Sequence, residues 1–422
     1  MSKWLCGYRK GYNAQYALVA MLEKLKECLD NKKGIYGAVL MDLSKAFDTI
    51  NHELLIAKLD AYGFGDEALQ ILSSYLSDRH QRTKINSSYS SWEELLSGVP
   101  QGSVLGPILF NIFINDIFFL FNDSDSHVCN FADDTTLTAC CVELKDLLRK
   151  LEEDTLTAII WFENNYMKLN QSKCHFITCG VPCTPELLWL KVGDELIWES
   201  KSEKLLGVTV DKKLEFNAHL RILCKKVNQK VSALARVVKI LPFHKRHLIL
   251  KTFIESQFTY CPLVWMFCSR SMNHKINRIH ERALRLVYLD YSSSFEDLLK
   301  KDNSLKFHDR NIHQVAIEMF KVKEKLSPIF MEEVFEEVTR DDSTGSKFRR
   351  PNIRTVKRGE RSLRNFGPIL WNEMLPDNIK RATSLEDFKR SIKSWKPEGC
   401  PCELCRLWVN GVGYAKTCTC CT

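Results

Sequence analysis

Apolar residues recur at helical spacing at Ala14, Leu18, Met21, Leu22, Leu25 and Leu29, which predicts one amphipathic helix over residues 12–30. The stretch from Asn31 to Gly34 closes it. Ile35 to Leu43 then runs apolar and β-branched, the pattern of a buried strand, and Asn51 stands where it can cap a helix reaching Leu59. Another helix is predicted from about Asp66 to Leu76. Arg82 to Ile85 and Trp92 to Leu96 flank a Ser-rich turn and read as a hairpin. Gly98 to Gly106 is a glycine-punctuated loop leading into the greasiest run of the chain, Val104 to Phe121. That run is broken by Gly106-Pro107, Asn111, Asn115 and Asp116. It falls short of the roughly 20 clean apolar residues a membrane span requires, so it predicts a buried helix. Residues 127–139 read as strand, Ala-Asp-Asp turn and strand, Glu143 to Tyr166 as a helix, and Lys204 to Asp211 with Leu214 as a further β-turn. Leu220, Leu223, Val227, Val231, Leu234 and Val238 then share one face of a helix whose other faces carry Lys225, Lys226, Lys230 and Arg236.

Composition adds class. With 422 residues, 45% of them hydrophobic, and only 18 Gly and 12 Pro, collagen-like, low-complexity and wholly disordered chains are excluded. The length predicts roughly two to three domains. The net charge of +8 is modest but unevenly placed. Arg221 to Asp290 holds 14 Lys and Arg against three acids, and Ser346 to Lys396 holds 14 against five, so an acidic-leaning first half precedes a basic second half. Residues 1–30 mix charged and apolar residues without the succession of a secretory leader. The chain therefore reads as intracellular, cytoplasmic or nuclear, not secreted, and without a membrane partner. Seventeen cysteines, an odd number, point to free thiols or metal ligands rather than a disulfide framework. Trp265 and Phe267 read as core.

Metal-dependent phosphoryl transfer needs carboxylates converging on a pair of cations. Asp42 ends the predicted buried strand in Val-Leu-Met-Asp-Leu-Ser-Lys-Ala-Phe-Asp, and Asp133-Asp134 occupy the tip of a short hairpin. These carboxylates meet if the two strands are neighbours in one sheet. Ala-Asp-Asp by itself is more often an ordinary polar turn. Between the acids lies Ser97-Gly98-Val99-Pro100-Gln101-Gly102-Ser103, whose glycines allow close backbone approach and whose Gln101 offers both a donor and an acceptor to a nucleotide. The plainer reading is a strand-to-helix turn.

In order along the chain stand Gly7-Tyr8-Arg9-Lys10-Gly11, Asp42 with Phe47-Asp48, Gly98-Val99-Pro100-Gln101-Gly102, and Phe131-Ala132-Asp133-Asp134. Lys168-Leu169-Asn170-Gln171-Ser172-Lys173 and Lys204-Leu205-Leu206-Gly207-Val208 follow, with Arg282-Ala-Leu-Arg285 beyond. Six ordered motifs over about residues 7–210 make the chain resemble the reverse transcriptase of a non-LTR retrotransposon, of the LINE and jockey type. The resemblance implies an α+β fold: a right-hand polymerase palm of antiparallel sheet and helices, partial fingers and a helical thumb. It implies RNA-directed DNA polymerase activity, in which a primer 3′-hydroxyl attacks a dNTP on an RNA template. Two Mg²⁺ ions would be held by Asp42, Asp133, Asp134 and the backbone carbonyl of Leu43. Phe47 stands where the family places an aromatic that excludes a ribose 2′-hydroxyl, although a core Phe fits the pattern equally. Lys173 matches the lysine that protonates departing pyrophosphate, with Lys168 its rival. Gln101, Gly102 and Arg9 would meet dNTP or template.

The basic second half suits non-specific hold on a duplex through phosphates. The expected division is 1–215 partial fingers and palm, 216–300 basic helical thumb, 301–396 a helical, basic C-terminal region, and 397–422 a Cys-rich tail. In that tail Cys400, Cys402, Cys405, Cys418, Cys420 and Cys421 offer thiolates for Zn²⁺, with a loose cysteine-rich tail as the alternative. Only 41 residues precede Asp42, too few for the endonuclease and leading fingers strands of full elements, so an N-terminal truncation is expected. The alternative function is a catalytically impaired remnant acting only through nucleic-acid binding.

Overall fold

The computed structural model describes residues 1–31, 34–121, 126–181, 188–341, 345–397, 407–409 and 413–415. The chain divides into two compact units, Met1–Ala17 with Lys33–Lys201, and Leu18–Lys32 with Ser202–Thr422. Helix α1 (Ala14–Asp30) straddles that division, with Leu18, Met21, Leu22, Leu25 and Leu29 buried along one face.

The first unit is built on strand β1 (Ile35–Met41), whose Ile35, Tyr36, Val39 and Met41 are buried. A two-residue strand β2 (Leu43–Ser44) follows, then helix α2 (His52–Ala61), capped by the Asn51 side chain, which accepts from the Leu54 amide at 2.8 Å. Helix α3 (Asp66–Leu76) comes next. The hairpin region differs from its predicted form. Strands β3 (His80–Gln81), β4 (Lys84–Ile85), β5 (Ser88–Tyr89) and β6 (Glu93–Glu94) nest, β4 on β5 and β3 on β6. The reversal is a tight Asn86-Ser87 turn in which Asn86 takes φ +55°, a conformation Asn tolerates, so the pairing closes sooner than the Ser-rich spacing implied.

Helix α4 (Gly106–Ile114) opens the apolar run, and at Asn115 the run tightens into a 3₁₀ turn reaching Phe121. It is buried as predicted but not one continuous α-helix. Strands β7 (His127–Phe131) and β8 (Asp134–Cys141) form a hairpin, followed by helix α5 (Leu144–Asn164), strand β9 (Lys168–Leu169) and strand β10 (His175–Cys179). The central sheet has the order β10-β1-β8-β7, antiparallel throughout. Helix α5 covers one face through Leu147 and Leu151. A Cβ at Gly37 of β1 would sit 2.6 Å from Leu151 Cδ1, so a larger residue there would make the Leu151 side chain shift. Strands β11 (Trp189–Val192) and β12 (Glu195–Trp198) complete the unit.

In the second unit, strands β13 (Ser202–Leu205) and β14 (Val208–Asp211) are joined by Leu206 and Gly207, both at positive φ, as a type I′ turn requires. The helix Asn217–Val237 follows and packs on the helix Arg270–Tyr288. Leu220, Val227, Val231 and Leu234 are buried as the periodicity predicts, but Cys224 takes the buried place next to a half-exposed Leu223. Trp265 is core. Glu255 ties this unit together from inside: it accepts from Lys251 at 3.0 Å and Arg310 at 2.7 Å, with His280 Nε2 at 3.1 Å. Toward the C-terminus, Phe388 stacks between Phe320 and Trp371. Cys6, Cys129, Cys174, Cys224 and Cys261 are buried thiols outside any disulfide. Among the described residues no helix is long and apolar enough to cross a membrane.

Candidate active site

Strand register brings the acids together. β1 pairs with β8 so that Met41 faces Thr135, which sets Asp42, one residue beyond Met41, opposite Asp134, one residue before Thr135. β7 pairs with β8 through Phe131 and Asp134, leaving Ala132 and Asp133 as the two-residue turn. Asp133 and Asp134 are exposed and Asp42 is half-exposed. The Asp134 carboxyl is pushed above the usual carboxylate range, first by partial desolvation and then by the charges of Asp133 and Asp42. That shift is the electrostatic mark of three carboxylates facing one space.

The turn that aims them is strained. Ala132 sits at φ +59°, a region that costs a residue with a Cβ about 1–2 kcal/mol. It is held from below by the N-terminal segment: Cys6 N donates to Asn130 O at 2.8 Å, and Asn130 N donates to Trp4 O at 3.1 Å. Gly7 lies so close that a Cβ there would stand 2.3 Å from Ala132 N. Asn111 Nδ2 fixes the Gly7 carbonyl at 2.8 Å, and across the hairpin Asn130 Nδ2 donates to Thr135 Oγ1 at 2.7 Å.

The glycine-rich loop is laced to the residues after Asp42. Val99 N donates to Phe47 O at 3.0 Å, Gly98 N to Ile50 O at 2.8 Å, and Ser97 Oγ to Asp48 O at 2.9 Å. Gly98 is at φ +88°, and a Cβ there would lie 2.8 Å from Asp48 Cα, so both its conformation and its contact demand glycine. Gln101 Nε2 donates to Asp48 Oδ1 at 2.8 Å, and Gly102, at φ +81°, faces open space. The Phe47 ring stacks on Phe110 at 4.3 Å and meets the edge of Tyr8 at 6.0 Å, so it is half-buried in an aromatic trio whose outer member, Tyr8, is exposed.

Lys173 Nζ stands 3.7 Å from Asp42 Oδ2. Its position follows from β9 pairing with β2, Leu43 against Leu169, and from Asn170 N donating to the Asp42 carbonyl at 2.8 Å. Lys168, opposite Ser44, makes no ion pair among the described residues. Arg9 is turned toward its own segment, donating through NH1 to the Ser2 and Leu5 carbonyls at 2.5 and 3.0 Å with its guanidinium over the Tyr12 ring. It braces the N-terminal turn.

Among the described residues no three His, Cys, Asp or Glu side chains stand close enough to hold a metal ion unaided. The donor set nevertheless suits a hard cation. Mg²⁺ is commonly bound by one or two carboxylates completed by substrate phosphates rather than by a protein cage, and the mutual repulsion felt at Asp134 is what such a cation relieves. The cysteines of the predicted zinc site, Cys400, Cys402, Cys405, Cys418, Cys420 and Cys421, lie outside the described residues.

Sequence reading passed over three participants: Gly7 beneath the turn, Tyr8 beside Phe47, and Asp48 holding Gln101. All three lie inside quoted motifs, but what each touches is set by long-range packing. Residues 1–210 match the model of the family described as reverse transcriptase (RNA-dependent DNA polymerase). The chain is similar to the probable RNA-directed DNA polymerase from transposon BS of Drosophila melanogaster, 25% identical over 296 residues, covering 67% of this chain and 32% of that one. It is 26% identical over 295 residues to the RNA-directed DNA polymerase from mobile element jockey of the same species, covering 68% of this chain and 32% of the relative. To the probable RNA-directed DNA polymerase from transposon X-element, again of Drosophila melanogaster, it is 24% identical over 330 residues, covering 72% and 35%. The chain spans about a third of the length of these relatives.

Proposed function

This chain belongs to the reverse transcriptase family, and from that premise we propose that it is the RNA-directed DNA polymerase of a non-LTR retrotransposon, extending a DNA primer with dNTPs on an RNA template. The observation that carries the reading is the placement of Asp42 opposite Asp134, with Asp133 adjoining and Lys173 at 3.7 Å from Asp42. Reverse transcriptases generally use divalent metal ions. Here Asp42, Asp133, Asp134 and the carbonyl of Leu43 would hold two Mg²⁺, which when bound supply activation of the primer hydroxyl and neutralisation of the triphosphate.

The protein's own groups do the rest. Lys173 is positioned as a general acid for departing pyrophosphate, because an ammonium beside Asp42 can deliver a proton as the leaving oxygen gains charge. Phe47, backed by Phe110, presents a rigid edge that excludes a 2′-hydroxyl. Gln101, oriented by Asp48, and Gly102, whose backbone is open, contact the nucleotide or template. Arg9 supports this surface from the N-terminal turn. The exposed Lys225, Lys226 and Arg236 hold duplex phosphates without reading sequence.

On this reading residues 1–215 supply partial fingers and palm, 216–300 the thumb, 301–396 a basic C-terminal region, and 397–422 a Cys-rich tail that takes up Zn²⁺. The work is done inside the cell, in cytoplasm or nucleus. A remnant that only bound nucleic acid is not favoured, because binding alone needs no opposed carboxylates with a lysine beside one of them. Primer extension on poly(rA)/oligo(dT) with Mg²⁺ tests the proposal. The wild type extends the primer and the Asp133→Ala, Asp134→Ala double variant does not. Equal activity in both, or none in the wild type while duplex binding persists, overturns it.

A further inference from the structure

Within the second unit a cavity of about 410 Å³ lies between the end of the helix Phe295–Lys301, the start of the helix Phe307–Lys323, and the end of the helix Leu385–Lys393 with the residues after it. Four lysines line it, Lys300, Lys306, Lys393 and Lys396, against two acids, Glu296 and Asp309. Compensation is incomplete. Lys306 pairs with Glu296, and Lys300 Nζ lies 3.6 Å from Asp297. Lys393 and Lys396 have no carboxylate partner among the described residues, and both are exposed.

Helix dipoles explain part of this pattern. Lys300 and Lys393 close their helices, where the negative end favours a cation. Lys306 does the reverse: it is the N-cap of Phe307–Lys323, at the positive end of a helix, and its side chain caps nothing. Lys396 lies beyond any helix. Two cations placed without help from a dipole, beside two others and around one cavity, form a field that an anion relieves.

The occupant can be narrowed from the lining. Among the described residues no aromatic side chain borders the cavity to offer a platform for a base, and no arginine fork lines it for bidentate readout. Lysines alone recognise phosphate as point charges, and the cavity is far larger than one phosphate. We infer that this cleft holds the phosphate backbone of a nucleic-acid strand, at a site in the C-terminal region separate from the carboxylates of the first unit. The inference rests on geometry independent of the polymerase reading, though it suits an enzyme that must retain a long template.

The test compares the full chain with Lys393→Gln, Lys396→Gln and with a control of equal charge change, Lys145→Gln, Lys191→Gln, in binding labelled single-stranded RNA across a salt series. Losing two phosphate contacts lowers the slope of log K against log salt by about 1.4, at roughly 0.7 per contact for a single strand. The control leaves the slope unchanged. No change in the Lys393, Lys396 variant, or the same change in the control, overturns the inference. Acetylation footprinting of these lysines separates the source of the phosphate: protection by RNA supports a strand, and protection by pyrophosphate but not RNA overturns it. Failure of wild-type primer extension with the slope change intact would count against the polymerase reading and leave this site standing.

Discussion

Replacing Gly7 by alanine probes whether the N-terminal segment sets the turn that carries Asp133 and Asp134. Gly7 is not at positive φ, so alanine meets no conformational penalty there and the effect is purely steric. The added Cβ would lie 2.3 Å from Ala132 N, 3.1 Å from Ala132 Cα and 3.2 Å from Phe131 C, where ordinary contact begins near 3.4 Å. All three are backbone atoms, so no side chain can rotate aside and the hairpin tip must move by about 1 Å. Overpacking of this kind costs about 1–3 kcal/mol of stability. Asp133 is the next residue in the chain, and a displacement of about 1 Å in a reacting group costs on the order of 10²-fold in rate. Single-turnover dNTP incorporation and thermal unfolding, measured together, read both effects. Gly65→Ala, whose new Cβ meets nothing within 4 Å, should lose at most a cap-sized ~1 kcal/mol and keep its rate. A Gly7→Ala protein with wild-type rate and wild-type melting temperature would refute the reasoning.

Other outcomes follow from the same geometry. Asp134→Asn should abolish extension yet raise the melting temperature, because it removes a carboxylate whose ionised form is disfavoured by partial desolvation and by Asp133 and Asp42; the gain should grow as pH rises from the ordinary carboxylate pKa through the elevated Asp134 pKa. Glu255→Ala should cost about 3–5 kcal/mol in urea unfolding, since it takes from the buried His280 and from the Arg310 guanidinium the carboxylate they share, while Lys251 keeps Asp302 at 2.8 Å. Burial works to raise the Glu255 pKa, but the hydrogen bonds from His280 and Arg310 outweigh it and hold the carboxyl well below the usual 4.5. The stability it contributes is therefore complete above 4.5 and is lost as pH falls below that value, a loss the alanine variant should not show in an acid titration. Phe47→Ala should lower discrimination against ribonucleotides by about 10-fold or more in competitive incorporation. Asn51→Ala should cost about 1 kcal/mol by losing its bond to Leu54 N, with no change in nucleotide selection.

Sequence alone determined most of the helices and the first strand, and it singled out the candidate carboxylates. The helices at α1, α2, α3 and α5 and the strand at β1 follow from apolar periodicity and a capping Asn, signals carried by residues within a few positions of one another. The acids Asp42, Asp133 and Asp134 stood out because each follows an apolar strand, and their order with the glycine-rich loop carried the family resemblance. Tertiary structure decided everything that depends on register and on residues distant in the chain. Whether Asp42 meets Asp134 or misses it turns on which residues of β1 and β8 pair, and a slip of one position would send the carboxylate to the other face. The early closure at Asn86, the tightening at Asn115 and the inward turn of Arg9 were likewise set by local geometry that periodicity does not encode. Gly7 under Ala132, and the four lysines around one cavity, come from segments far apart in the chain, and only the folded chain brings them within reach of each other.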